Sequence, residues 1–324
     1  MTITAVEVSP WTDRAGWARF VAQSPQGSVF LRPELLDALD VEWMPWRLTG
    51  AHDETRAAAI VLVDRNGSVA RSPLPFCLYQ GVLLPAAAAP GPTHSRVHES
   101  LEATTALLSG MAGRERMSWC LHPSFADLRA FSWFHYHEPT LGRFQLDLRY
   151  TGLIPVDPSD GLEAVLAGAR SVRRREYRKA SERFRVEPSD DLDLLDQLHE
   201  ATFARQGVAR DDRERHLLRT LTNAALTHGF GDLFVARTAD GSAAGAAVFL
   251  YDEHTAYYLV AANDPAFRNG GVSTLLFLSG VAAGLRRGVR AIDVVGMNSP
   301  ARGDFKTSFG AGPVPYFVAN WERP

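Results

Sequence analysis

The stretch Arg268-Asn269-Gly270-Gly271-Val272-Ser273 has the residue types to hold an anion, and it stands where a helix begins. Two adjacent glycines remove the Cβ atoms that would keep a ligand off the backbone, and Arg268 adds a charge-assisted donor. Free N–H groups at the positive end of the following helix then suit a phosphate. The spacing is neither GxGxxG nor a loop ending in GK[ST], and a plain glycine corner is the alternative. Asp293 stands in an apolar run with Ile292, Val294 and Val295. Unpaired there, its carboxyl would have a raised pKa and could act as a base; paired, it is a structural acceptor at a strand end. His135 and His137 sit two apart in Phe131-Ser132-Trp133-Phe134-His135-Tyr136-His137-Glu138, so on a strand they share one face. That pair could serve acid/base chemistry or line an aromatic acceptor groove; with no third ligand at a recognisable spacing, no metal is expected. Between Arg170 and Arg183 seven cations crowd one segment, with Arg170, Arg174 and Arg178 in a row at helical spacing. Such a cluster can hold acceptor phosphates, an acidic carrier domain or RNA, or it can be a solvated face.

The elements that must position these groups follow from periodicity. Ala256 to Ala262 predicts a strand, ended by Asn263-Asp264-Pro265. Leu275, Leu276, Leu278, Val281, Ala282 and Leu285 predict a helix, stopped by Gly288 behind Arg286 and Arg287. Ala291 to Gly296 predicts a second buried strand, so the order is strand, glycine turn, helix, strand. Upstream, Pro158-Ser159-Asp160 starts one helix carrying all the clustered arginines; helices over 192–203 and 212–227 and a hairpin over 233–251 come next. In the first half, helices are expected over 11–22, 32–39 and 98–112 and strands over 57–63, 69–71 and 117–121. The Phe131–Glu138 patch is read as a strand, 144–148 and 153–156 as two more, and 86–92 as a surface loop.

Arg268-x-x-Gly271-x-Ser273 resembles the R/Q-x-x-G-x-G/A pyrophosphate loop of the GCN5-related N-acetyltransferase (GNAT) superfamily, with Ser273 where glycine or alanine is preferred. Asp293-Val294-Val295-Gly296 followed by Phe305-Lys306-x-x-Phe309-Gly310 resembles the end of its tandem-domain FemABX-like, or BioF2-like, branch. Three more pieces are similar in the same order: Ser72-Pro73-Leu74-Pro75-Phe76 with Tyr79-Gln80-Gly81, the Arg170–Ala180 helix, and an Arg205-x-Gly207 turn. The resemblance implies an α/β (α+β) fold of two tandem GNAT-like domains, each a mixed sheet flanked by helices. Residues 1–150 would be a degenerate domain, scaffold or acceptor wall; residues 151–324 would carry the donor loop. It implies an N-acyltransferase moving an acyl group from a pantetheine thioester, acyl-CoA or acyl-phosphopantetheine, to the amine of a small molecule that can bear phosphate. Aminoacyl-tRNA-dependent peptide-bond formation and a non-catalytic binding module are the alternatives.

By that resemblance the backbone of Leu259, Val260 and Ala261 would hold the pantetheine arm, and Arg268 to Ser273, including Asn269, Gly270, Gly271 and Val272, the phosphates. Lys306 would stand at the acyl-transfer centre, with Tyr257, Asp293 and Asn298 as further catalytic candidates. Arg170, Arg174, Arg178, His135, His137 and Tyr79 are candidates for acceptor or partner binding, with carrier protein or tRNA as possible macromolecular donors.

Composition bounds the rest. A chain of 324 residues suits two domains, and 46% apolar with 22% charged residues is ordinary for a globular protein. A net charge of −3 gives no general attraction to nucleic acid, and no DNA partner is expected. Cys77 and Cys120, without C-x-x-C or histidine spacing, suggest neither disulfide nor zinc site. No basic-then-apolar leader and no membrane-length apolar run are seen, so a cytoplasmic location without membrane partner is expected.

Overall fold

The computed structural model describes residues 7–86, 93–205, 211–298 and 300–324. Residues 206 and 207 of the Arg205-x-Gly207 turn and the 87–92 part of the expected surface loop lie outside them. The strands are β1 (Glu7–Pro10), β2 (Glu42–Thr49), β3 (Thr55–Val63), β4 (Val82–Leu83), β5 (Arg116–Cys120), β6 (Gln145–Pro155), β7 (Arg185–Ser189), β8 (Gly231–Arg237), β9 (Ala243–Tyr251), β10 (Thr255–Asn263), β11 (Ala291–Asp293) and β12 (Gly312–Glu322). The helices are α1 (Arg14–Gln23), α2 (Pro33–Leu36), α3 (Thr93–Met111), α4 (Arg129–Ser132), α5 (Gly161–Gly168), α6 (Ser171–Arg183), α7 (Leu192–Arg205), α8 (Asp212–Thr227), α9 (Val272–Arg286) and α10 (Pro300–Thr307). The chain forms two compact units, Met1–Arg149 with Pro315–Pro324, and Tyr150–Val314. The last ten residues thus group with the first unit, whereas the sequence expectation carried the second domain to residue 324.

In the first unit β1, β2, β3 and β4 pair in that order, antiparallel throughout. The near-continuous apolar run Ala57–Leu62 is buried along its length, as a central strand with both faces covered requires. The long helix α3 packs Leu107, Leu108 and Met111 into a core shared with Trp119 and Phe131. Antiparallel pairing joins β5 to the end of β12, Cys120 opposite Val318 through Arg116 opposite Glu322.

The Phe131–Glu138 patch is not a strand. Phe131 and Phe134 are buried from one side of the short helix α4 and the turn after it, with Phe144 edge-on to both at 5.1 and 5.2 Å. Two apolar rings three residues apart satisfy one helical face, so helical spacing prevails over the strand propensity of the aromatics. His135 adopts φ +51°, with Nδ1 3.0 Å from the Gly142 carbonyl and its ring against Phe134 and Trp321. His137 is exposed, so the two histidines share no strand face.

In the second unit the strand order is β6, β11, β10, β9, β8, β7. All these pairs are antiparallel except β10 with β11, which run parallel across the crossover made by α9. Helix α9 is apolar almost all round, and eleven of its fifteen residues are buried. Its partners include Tyr258, Phe249 and Phe309, through Phe277. The single arginine helix expected from sequence is two helices. Arg170 is extended (φ −56°, ψ 147°) between α5 and α6, and its N–H donates to the Ser308 carbonyl at 2.8 Å. No helix of the described residues is long and apolar enough to cross a membrane.

Candidate active site

The site starts from an unequal strand pair. Parallel pairing of β10 with β11 lasts three residues, Thr255↔Ala291 to Tyr257↔Asp293, and then stops. β10 carries on along β9 as far as Asn263↔Gly245, with a register shift between Tyr258 and Val260. The chain after Asp293 follows β6 instead: Val294 N donates to Gly152 O at 2.9 Å and Met297 N to Tyr150 O at 3.0 Å. A wedge therefore opens between Leu259–Ala261 of β10 and residues 294–297. Its β10 side presents main-chain groups that no strand pairs among the described residues, and such groups remain available to a ligand.

The far wall of the wedge is held in an uncommon conformation. Val295 and Gly296 have φ +49° and +58°, the first a genuine outlier for a β-branched residue. Asp293 and Lys306 both bind this stretch. The buried Asp293 carboxylate accepts from Val295 N at 2.7 Å and from the Thr151 hydroxyl. Lys306 Nζ donates to the carbonyls of Val295 and, at 3.0 Å, Gly296. Asn298 Oδ1 accepts from Tyr150 N at 2.8 Å. Three of the four residues named as catalytic candidates thus meet on residues 293–298, with Asp293 in its structural-acceptor role. The early end of β11, three residues short of the expected strand, follows from the same bonds. Thr151 and Val295 carried no chemical signal in the sequence, because one is an alcohol among strand residues and the other an ordinary aliphatic.

Tyr257, the fourth, is buried, and its hydroxyl donates to Asp252 Oδ2 at 2.6 Å. Burial, then the neighbouring Asp252 charge, pushes the phenol well above its usual range, and burial also raises Asp252. A phenol so held remains protonated and tied to the β9–β10 turn.

At the other end of β10, Pro265–Phe267 forms a single tight turn capped by Asp264, and Gly270 N returns to Phe267 O at 2.8 Å. Gly271 is the N-cap of α9 at φ +75°. A Cβ on it would stand 3.0 Å from the Glu176 carbonyl oxygen and 3.3 Å from Ala180 Cβ. Glycine is therefore required here by backbone conformation and by the close passage of α6. Arg268 and Asn269 are exposed, Val272 is buried, and the Ser273 hydroxyl accepts from Asn263 Nδ2.

Helix α6 does more than display charge. Glu176 Oε2 accepts from the Thr274 hydroxyl in the first turn of α9 at 2.6 Å and from Arg173 Nη1 at 2.6 Å. Arg173 Nε donates to Ser308 Oγ at 2.7 Å, with its guanidinium 4.7 Å above the Phe305 ring. Arg174 donates to the carbonyls of Leu166, Ala167 and Ala169, capping the end of α5. Arg170 pairs with Asp304 at 3.5 Å, while Arg175, Arg178 and Lys179 are exposed. The expected row Arg170–Arg174–Arg178 is thereby divided among an exposed ion pair, the cap of α5 and an open face. In the first unit Tyr79 is buried edge-on to Phe30, His122 and Tyr316 at 5.1–6.2 Å, so its ring serves packing. Among the described residues, no three His, Cys, Asp or Glu side chains come together as a metal would need.

Residues 167–307 match the acetyltransferase (GNAT) domain family. No relative matches among curated proteins. Among solved structures, FemX is 13% identical with a TM-score of 0.69, covering 96% of each chain. A tandem GNAT protein from the clavulanic acid biosynthesis pathway is 13% identical (TM-score 0.50, 98% of each chain). The C-terminal domain of a lysylphosphatidylglycerol synthetase from Agrobacterium fabrum is also 13% identical, with a TM-score of 0.50, over 95% of this chain and 92% of that one. At these identities the likeness is one of fold, two GNAT units in tandem along the whole chain.

Proposed function

We propose that this chain, an acyltransferase of the GNAT superfamily in its FemABX-like branch, moves an acyl group from a pantetheine thioester to the amine of a small molecule. The wedge between β10 and residues 294–297 carries this reading. The main-chain groups of Leu259–Ala261 on the edge away from β9, which no strand pairs among the described residues, suit the amide-rich pantetheine arm, which binds as an added strand would. The glycine-cornered start of α9 at the end of β10 suits the phosphate of the same donor.

Lys306 would act on the carbonyl. Its ammonium lies on the wall opposite β10, on the carbonyls of Val295 and Gly296. A cation fixed there stabilises the oxyanion as the amine nitrogen adds to the thioester carbon; collapse then breaks the C–S bond and releases the thiol. The proton that the amine loses must end on the departing thiolate, by way of water, and Asp293, already accepting two hydrogen bonds, is better suited to holding the wall than to relaying it. Aminoacyl transfer from tRNA is the second reading, favoured by the exposed Arg175, Arg178 and Lys179 beside the loop-contacting face of α6.

Thiol release separates the two. Acyl-CoA, acyl-carrier protein and aminoacyl-tRNA are offered with a panel of amines. Acylated amine with stoichiometric thiol is the expected result. Peptide-bond formation from aminoacyl-tRNA alone would reject the thioester donor.

A further inference from the structure

Resting on the thioester reading, we infer that Glu176 selects the donor: its carboxylate is fixed beside the first turn of α9 and disfavours a diphosphate relative to a single phosphodiester. Three observations carry this. Glu176 Oε2 holds the hydroxyl of Thr274, the third residue of α9, at 2.6 Å, and Thr274 is buried. Arg173 grips the same oxygen at 2.6 Å and is itself anchored on Ser308 and the Phe305 ring, so the carboxylate cannot swing away freely. The α6 main chain passes so close to Gly271 that a Cβ would touch it at 3.0 Å, which keeps Glu176 against the loop.

A carboxylate beside a helix N-terminus interacts favourably with the helix dipole, as a bound phosphate would. An anion arriving there shares that positive end with Glu176 and meets its charge, and the penalty grows with the anion's own charge. Arg173 offsets part of the field, and exposed Arg268 adds an attraction from the solvent side. Free coenzyme A brings a doubly charged diphosphate, whereas a pantetheine arm on a carrier protein brings one singly charged phosphodiester. The carboxylate therefore favours a carrier-borne donor, and the exposed Arg175, Arg178 and Lys179 on the outer face of α6 suit an acidic carrier.

The test compares the affinities of 3′-dephospho-coenzyme A and of pantetheine 4′-(methyl phosphate) by calorimetry on the full chain. Glu176→Gln should tighten the diphosphate ligand about fivefold and the methyl phosphodiester by less than half as much, as expected for one charge at a helix end. Glu182→Gln, the same charge change at an exposed position of α6, should move neither. Glu176→Ala removes the same charge without leaving an amide against Thr274 and should shift the ratio in the same direction, so a poorly folding Glu176→Gln leaves the question decidable. Unchanged or weaker diphosphate binding in the variants, with both ligands still bound, overturns the selection by Glu176 and leaves the thioester reading standing. If neither ligand binds the wild-type chain or any variant, both the selection by Glu176 and the thioester reading fall.

Discussion

Lys306 is one residue with two jobs that a substitution can separate. Its Nζ bonds the carbonyls of Val295 and Gly296, both at positive φ, and in the proposed reaction the same charge would meet the oxyanion. Lys306→Ala should lower kcat on the order of 100-fold with donor affinity nearly unchanged. Lys306→Arg, which keeps the charge and can still reach the carbonyls, should recover part of that loss. Steady-state kinetics checks both, and wild-type kcat in Lys306→Ala would remove this residue from the chemistry. His122 offers a pH test in the other unit. Burial lowers its pKa to about 4, its ring lies 5.1 Å from Tyr79, and its Nδ1 accepts from Ser124 N at 3.1 Å. A histidine whose folded pKa lies below its unfolded value of about 6.5 is bound as the neutral form. The unfolded chain then takes up more protons between these values, so stability falls as pH drops from about 6.5 to about 4. His122→Asn retains an acceptor for Ser124 N without titrating. Its thermal midpoint should fall less than wild type across that window; equal falls would mean that other groups dominate.

At the scale of elements, α6 is a strut whose inner face is committed. Arg174 caps α5, so Arg174→Ala should cost roughly 1 kcal/mol in urea unfolding, the worth of an ordinary hydrogen-bonded cap, with KM for the acceptor unmoved. A raised KM without loss of stability would instead return Arg174 to substrate binding. Gly271 tests the fit of α6 to the start of α9. A side chain there combines a left-handed φ with contact to the Glu176 carbonyl. Gly271→Ala should therefore lower stability by about 1–3 kcal/mol and disturb the donor loop together, and stability within about 0.5 kcal/mol of wild type would contradict that packing. For the same reason Gly271→Asp is a poor probe of donor electrostatics, because its Cβ meets α6 before its carboxylate can meet a ligand.

The whole molecule carries a net charge of −3 and yet concentrates seven cations in fourteen residues of α6 and its N-terminal flank. Since Arg173 and Arg174 are bonded within the chain and Arg170 is partly offset by its exposed pair with Asp304, the field available to a partner comes chiefly from Arg175, Arg178, Lys179 and Arg183. Replacing Arg175, Arg178 and Lys179 with alanine should weaken binding of an acidic carrier protein and flatten its salt dependence, with small-molecule thioester turnover retained. Identical salt slopes before and after would make this face merely solvated.

What the sequence determined by itself was local. Turn residues, apolar period and glycines located β10, the loop and α9 to within a few residues, because these signals act between near neighbours. The Asp293–Gly296 and Phe305–Gly310 blocks, singled out by resemblance, meet in the fold through Lys306 Nζ and the carbonyls of Val295 and Gly296. The tertiary structure decided which side of each residue meets what. Only folding brings Thr151 to Asp293, Glu176 to Thr274, 98 positions away, and Lys306 to the carbonyls of Val295 and Gly296. It also turned the Phe131–Glu138 patch from a strand into a helix and turn, because burial of Phe131 and Phe134 against Phe144 outweighs intrinsic β preference. Hydrogen bonds between distant segments leave no periodic trace along the chain, so the division of the arginines between support and surface existed only once α5, α6 and α10 had met.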